Sequence, residues 1–173
     1  QPDWWMLWHL NETSGNASDS SGSGNTLSNS GVTFSSATKL LGANSAYFNA
    51  SADRLYSPLF STGVFTMEGW VRFAVADLTS GTEYILAMPT DDPSVTRDTS
   101  ERIVVYRDGA IGITSNATLN DNTAWHHIAV TADGTTLRLY IDGNLDNSVA
   151  WSGSTSFAAV NLGDNGSGAD NFT

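Results

Sequence analysis

Two stretches of this 173-residue chain carry enough oxygen donors to hold a hard divalent cation: Asp91 to Glu101, and Asp164-Asn165-Gly166-Ser167-Gly168-Ala169-Asp170. Calcium takes about six to eight oxygens from carboxylates, amides, backbone carbonyls and water, which flexible Asp/Asn/Gly loops supply. Imidazole ligation is a poorer prospect. His126 and His127 are neighbours in a strand-like segment, so their side chains point to opposite faces and do not close on one ion. His9 sits beside Trp8, and no Ser-His-Asp arrangement follows from the spacing. Carboxylate-based sugar hydrolysis needs an acid and a base or nucleophile held at a fixed separation. Glu68 stands alone on its segment while Glu83 and Glu101 flank a loop, so no catalytic pair is expected. Sugar stacking is a better use of the aromatic residues, because an indole offers a large apolar face and a polar edge. The candidates are Trp4 and Trp5, ahead of the first strand, and Trp151, after the last strand of a meander. Core or inter-domain packing is the alternative for each, since tryptophan is highly buried on average. Asn-x-Ser/Thr occurs at Asn11, Asn16, Asn49, Asn116, Asn165 and Asn171, which are glycan acceptors in a compartment that has the machinery.

The elements that would position these groups are strands. No helical periodicity of useful length occurs; short apolar runs recur between Gly, Ser, Asn and Asp clusters, the pattern of an all-β sandwich or barrel. The spacing predicts strands near residues 5–11, 31–35, 45–50, 53–56, 64–74, 83–88, 102–107, 110–115, 126–132, 136–141, 144–149 and 159–163. Asp133-Gly134 and Asp142-Gly143 read as hairpin turns, because both central residues of a two-residue loop take positive φ and glycine does so without steric cost. Between them Leu137, Leu139 and Ile141 alternate with Thr136, Arg138 and Tyr140, the period of a half-buried strand. A third pair, Asp108-Gly109, makes residues 102–149 a meander. Ser14 to Ser30 and Pro89 to Ser100 read as long surface loops, and loops of that length in compact domains are often functional.

Composition narrows the partners. The length suits one domain spanning residues 1–173, with a core large enough to fold. A net charge of −11 repels a phosphate backbone and argues against nucleic acid. No apolar run approaches the ~20 residues that span a bilayer, so membrane insertion is not expected. The chain has no cysteine, which excludes disulfides and thiol chemistry and tilts the source toward a bacterium, archaeon or virus. Gln1 in place of an initiator methionine points to trimming after export or to excision from a longer chain.

The wording of several segments is more specific. Trp125-His126-His127-Ile128-Ala129-Val130-Thr131 with Asp133-Gly134, then Leu137, Leu139-Tyr140-Ile141-Asp142-Gly143, resembles the laminin-G-like, concanavalin A-like lectin/glucanase jelly-roll superfamily. Trp8 to Glu12 looks like that family's first strand, and Asp19 to Asn25 like the loop that follows. Ala46-Tyr47-Phe48-Asn49, Phe65 to Val71, and Val160-Asn161-Leu162-Gly163 are similar to three further family strands, in the right order. The resemblance implies an antiparallel jelly-roll β-sandwich, with Trp8, Trp70 and Trp125 structural and the His126-His127 pair packed or hydrogen-bonded. The Glu-x-Asp-x-x-Glu pattern of its laminarinase-like members is absent. Its pentraxin members hold calcium at a rim built from comparable loops, which suggests Asp91, Asp92, Asp98, Asp164 and Asn165 as ligands here. The family's usual last strand has no counterpart before Thr173. The expectation is a longer parent polypeptide, or an open sheet edge that invites strand addition and self-assembly.

Together these readings lead us to expect a non-catalytic recognition or adhesion module of a secreted, cell-surface or virion protein. The expected partner is a glycan or a surface protein, with calcium as a candidate cofactor; the glycan is expected by family analogy alone. The alternative is a structural assembly protein, such as a phage capsid decoration, tail fibre or surface-filament subunit. A glycoside hydrolase or lyase ranks third.

Overall fold

The computed structural model describes residues 5–50, 52–62, 64–73, 81–87, 93–107, 110–121, 123–152 and 155–164, and its regular structure is strands in antiparallel pairs. In chain order they are β1 (Ser28–Ser30), β2 (Thr33–Ser35), β3 (Ser45–Tyr47), β4 (Arg54–Thr62), β5 (Phe65–Val71), β6 (Glu83–Ala87), β7 (Ser94–Arg97), β8 (Ile103–Arg107), β9 (Ala110–Thr114), β10 (His126–Ala132), β11 (Thr136–Ile141), β12 (Asn144–Ala150) and β13 (Thr155–Leu162). Seven form a sheet in the order β1-β4-β13-β6-β7-β8-β9, four form a second sheet β12-β11-β10-β5, and β2 and β3 pair alone. Non-sequential neighbours such as β4-β13-β6 are the crossovers expected of a jelly roll rather than a simple meander.

The four-stranded sheet shows why this sequence takes this form. Along β11, Leu137, Leu139 and Ile141 are buried while Thr136, Arg138 and Tyr140 are only partly covered, so one face meets the core and one meets water. Register carries the alternation across: Val130 lies opposite Leu139 on β11 and Met67 on β5. The main core joins both sheets, with Phe65, Phe73, Val95, Ile103, Val105, Ile128, Val130, Leu137, Leu139 and Trp151 in one cluster. A smaller cluster of Ala17, Leu27, Val32, Phe48 and Leu55 lies beneath the N-terminal segment.

The two central turns differ. At Asp142-Gly143 both residues have positive φ, 51° and 79°, as a two-residue hairpin requires. At Asp133-Gly134 only the glycine does, and three residues separate β10 from β11. Asp133 stabilises that longer loop instead, its carboxylate accepting hydrogen bonds from the Thr135 and Thr136 amides and from Arg138. Asp108-Gly109 lies outside the described residues.

Three expectations are corrected. No strand forms over residues 5–11; Trp8 makes one isolated bridge to Asp19, and Leu10 turns the chain at φ 55°. The Asp19 carboxylate holds this segment, accepting from the Leu7, Ser21 and Asn25 amides at 3.0, 2.8 and 2.8 Å. Ser14 to Ser30 is not wholly loop, since Ala17 bridges Leu27 and β1 follows. Most consequentially, Pro89 to Ser100 is not one loop: β7 runs through it with all four residues buried.

The burial of β7 is paid for by charge pairing. Arg97 is fully buried, its guanidinium beside Glu83 at 3.4 Å and paired with Glu101, over the Phe73 ring at 4.3 Å from the centroid. Glu83 lies directly opposite Arg97 in the β6–β7 register, so both side chains emerge on the same face, toward the core. A buried charge without such a partner would cost several kcal/mol.

Candidate functional site

The outward face of β5 carries Thr66, Glu68 and Trp70, the partners by period of the buried Phe65 and Val71. Trp70 is 52% exposed, although its place in a family strand motif led to the expectation that it is structural. Its cross-strand partner is His127, with ring centroids 5.1 Å apart and planes inclined by 56°. Glu68 lies two residues back on the same face, with Oε2 at 3.9 Å from His127 Nε2. Ala129, opposite both Glu68 and Tyr140, is the small residue between them.

The Asp142-Gly143 turn closes the end of this face. Its backbone is locked by the Asp142 amide, which donates to the His127 carbonyl at 2.8 Å. The Asp142 carboxylate in turn accepts from the His127 amide at 2.9 Å and meets His126 Nδ1 at 3.0 Å. Burial alone would raise the Asp142 pKa, but these bonds hold it below the ordinary carboxylate range. Asp121 is lowered too, chiefly because the Ala124 and Thr123 amides donate to it, with His126 Nε2 3.4 Å away. His126 is thus clamped between two aspartates and supports the turn. His127 faces the other way, as strand geometry demands. Trp70, His127, Asp142 and Gly143 line a shallow hollow of about 320 Å³. It offers an aromatic face, an imidazole edge, carboxylate acceptors and backbone.

The residues singled out by type and spacing do not converge there. Trp5 is 64% exposed on the N-terminal segment, where its carbonyl accepts from Asn25 Nδ2 at 3.0 Å and Ser21 Oγ at 3.3 Å. Trp4 lies outside the described residues. Trp151 is not a surface platform: it is 2% exposed, edge-to-face with Phe65 at 6.2 Å and under Arg107 at 4.8 Å. Its amide donates to the Thr135 carbonyl at 2.7 Å, which folds the chain after β12 over the core.

Asp91 to Glu101 is not one continuous loop, because β7 runs through it. Asp98 follows β7 while Asp91 and Asp92 precede it, so the strand sets Pro93 and Asp98 about 16 Å apart. Asp98 Oδ1 is occupied by the Ser100 and Arg102 amides at 2.8 and 3.1 Å, closing the turn into β8. Asp164 is buried beside Arg54, at 3.8 Å. Asp91, Asp92 and Asn165 lie outside the described residues, and among the described residues no cluster of three or more His, Asp or Glu is placed to hold a metal. Of the sequons, Asn11, Asn16, Asn49 and Asn116 are exposed, while Asn165 and Asn171 are not described. The Asn116 amide nitrogen donates to the Asp146 carbonyl at 2.6 Å, and Asn16 Oδ1 accepts from the Asn29 amide at 3.1 Å.

Several solved structures share this fold. Domain 4 of the GH43 extracellular arabinanase AbnA from Geobacillus stearothermophilus, solved with arabinotriose, superposes with a TM-score of 0.65 at 17% identity, over 86% of this chain and 78% of that one. A Trypanosoma rangeli sialidase in complex with the inhibitor DANA gives 0.68 at 13% identity, over 99% of this chain and 29% of the sialidase. A botulinum neurotoxin type C structure, whose cell entry depends on two ganglioside molecules, gives 0.66 at 14%, over 97% of this chain and 42% of that one. This chain therefore corresponds to less than half of the latter two proteins. No curated protein sequence matches it. Residues 41–173, more than three quarters of the chain, match the concanavalin A-like lectin/glucanases superfamily, and the sheet order is that of an all-β jelly roll. This protein belongs to the concanavalin A-like lectin/glucanases superfamily.

Proposed function

We propose that the chain is a non-catalytic carbohydrate-recognition module that stacks a sugar ring on Trp70 and hydrogen-bonds it through His127, Glu68 and Asp142. The observation that carries this reading is the indole of Trp70, half exposed on a rigid strand at the mouth of a polar-edged hollow. A ring face offers sugar C–H bonds an apolar surface while carboxylates and imidazole around it accept and donate to hydroxyls. The structural relatives solved with arabinotriose or described with gangliosides agree with a glycan as partner. Work outside the cell, on a secreted protein or on a cell or virion surface, fits the acidic, cysteine-free chain.

The site is poorly built for hydrolysis. A glycosidase acid is kept protonated by burial, whereas the Glu68 and Asp142 side chains are 41% and 46% exposed. Glu83 and Glu101 are committed to Arg97 in the interior. Calorimetric titration with neutral oligosaccharides should give heats that vanish in Trp70→Ala, with no release of reducing ends on prolonged incubation. Unchanged binding in Trp70→Ala would move the site elsewhere, with Trp5 the next surface indole to test.

A further inference from the structure

We infer that the Trp70 face selects sugars carrying a free amino group and turns away acidic sugars. This rests on the proposed use of that face for glycan recognition and names which glycans it takes. Asp142 is the carboxylate that lines the hollow, and Glu68 lies outside the lining with Oε2 3.9 Å from His127 Nε2. Among the described residues neither Lys nor Arg lines it, although Arg72 follows Trp70 by two residues. Arg138, on the same outward face, is committed to Asp133 at 2.6 Å. The protein's one lysine, Lys39, belongs to the segment between β2 and β3.

Recognition of a sugar carboxylate calls for a guanidinium fork or an ammonium, and the hollow presents the opposite charge. An ammonium is suited three times over. The indole face attracts a cation through its quadrupole. The Asp142 carboxylate is held ionised by its bonds to His126 and to the His127 amide, yet each oxygen keeps a lone pair for a further donor. Glu68, on the same outward face, approaches His127 only at 3.9 Å, too far for a hydrogen bond, and its carboxylate is 41% exposed. A chain of net charge −11 adds a long-range field of the same sign.

The test is calorimetric titration of the intact protein at neutral pH in low salt with four probes. These are a β-1,4-linked glucosamine tetramer, its fully N-acetylated counterpart, sialyllactose and tetralysine. The expected result is that the free-amine tetramer binds about fivefold tighter than the N-acetylated one, the order of one exposed charge pair. That ratio should shrink toward one in high salt and in Glu68→Gln, with sialyllactose the weakest sugar. Equal binding of both tetramers, lost in Trp70→Ala, would keep the glycan site and overturn the amine preference. Sialyllactose as the tightest sugar, or tetralysine matching the free-amine tetramer, would also overturn it, the latter by showing charge attraction without sugar recognition. Sugar binding unaffected by Trp70→Ala would instead overturn the location of the site.

Discussion

Replacing Trp70 and Trp151 separately with alanine should give opposite phenotypes, because the same side chain is spent differently at the two positions. Trp151 is 2% exposed and packed edge-to-face on Phe65 within the main core. Truncation removes the whole indole from a close-packed site, at a cost of about 3–5 kcal/mol. For a chain of this size each kcal/mol lowers the melting temperature by roughly 2–4 °C, so Trp151→Ala should lose about 6–20 °C. Trp70 is half solvated, and its main loss is the tilted contact with His127, worth about 0.5–1.5 kcal/mol. Trp70→Ala should therefore melt within about 6 °C of the parent and bind no oligosaccharide. Thermal unfolding by circular dichroism, paired with calorimetric titration of each folded variant, reads both quantities. The reasoning fails if Trp151→Ala melts like the parent, or if folded Trp151→Ala loses sugar binding while Trp70→Ala retains it.

Acid should loosen the N-terminal segment first. Burial alone would raise the Asp19 pKa, but donation from the Ser21, Leu7 and Asn25 amides and the Ser21 hydroxyl lowers it from 3.8 to about 2. A folded-state pKa below the unfolded one contributes stability that is complete above about pH 4 and is lost as pH falls through about 2, roughly 1–2 kcal/mol after allowance for solvent. Stability curves over that window should flatten in Asp19→Asn, and an unchanged slope would refute the assignment. Gly163→Ala should destabilise by about 1–3 kcal/mol, since φ is +89° and the new Cβ would fall 2.2 Å from Phe48 Cδ1; a neutral melting shift would contradict the close approach. Melting in excess calcium and in EDTA should agree, because Asp98 and Asp164 already have their own partners. A clear calcium-dependent rise abolished by Asp164→Asn would restore a rim site.

The parts of the fold legible in the sequence are those where apolar alternation and turn chemistry agree. Residues 126–150 combine both, and the paired strands β10, β11 and β12 lie where the spacing put them, within a residue. β7 was opaque because Ser94-Val95-Thr96-Arg97 holds one apolar residue and is bordered by acidic residues on both sides. Its burial depends on charges from β6 and from the turn before β8, which no local window contains. The N-terminal strand failed for a related reason: Asp19 supplies, from twelve residues away, the acceptor that a neighbouring strand would have supplied to Leu7. The site was partly legible. The period that buries Phe65 and Val71 already places Trp70 outward beside Glu68, but its position in a family strand motif outweighed that signal. Trp151 misled in the other direction: its place after the last strand of the meander suggested a stacking platform, whereas the bond to Thr135 and the packing on Phe65 hold it inward.

The buried Arg97 also bears on how the larger sheet chooses its alignment. A strand with only Val95 to place in the core has little apolar preference for one pairing over the next, and a one-residue slip exchanges its two faces. Such a slip would bring Ser94 and Thr96 to the core face and turn Arg97 away from Glu83, leaving a glutamate in the interior opposite a hydroxyl. The penalty for that arrangement is about 3–5 kcal/mol, above the roughly 1.5–3 kcal/mol of burying or exposing one valine. Arg97 therefore works as the key that fits one alignment of β6, β7 and β8. The pair it forms contributes less through its own attraction than through the cost it attaches to every neighbouring alternative.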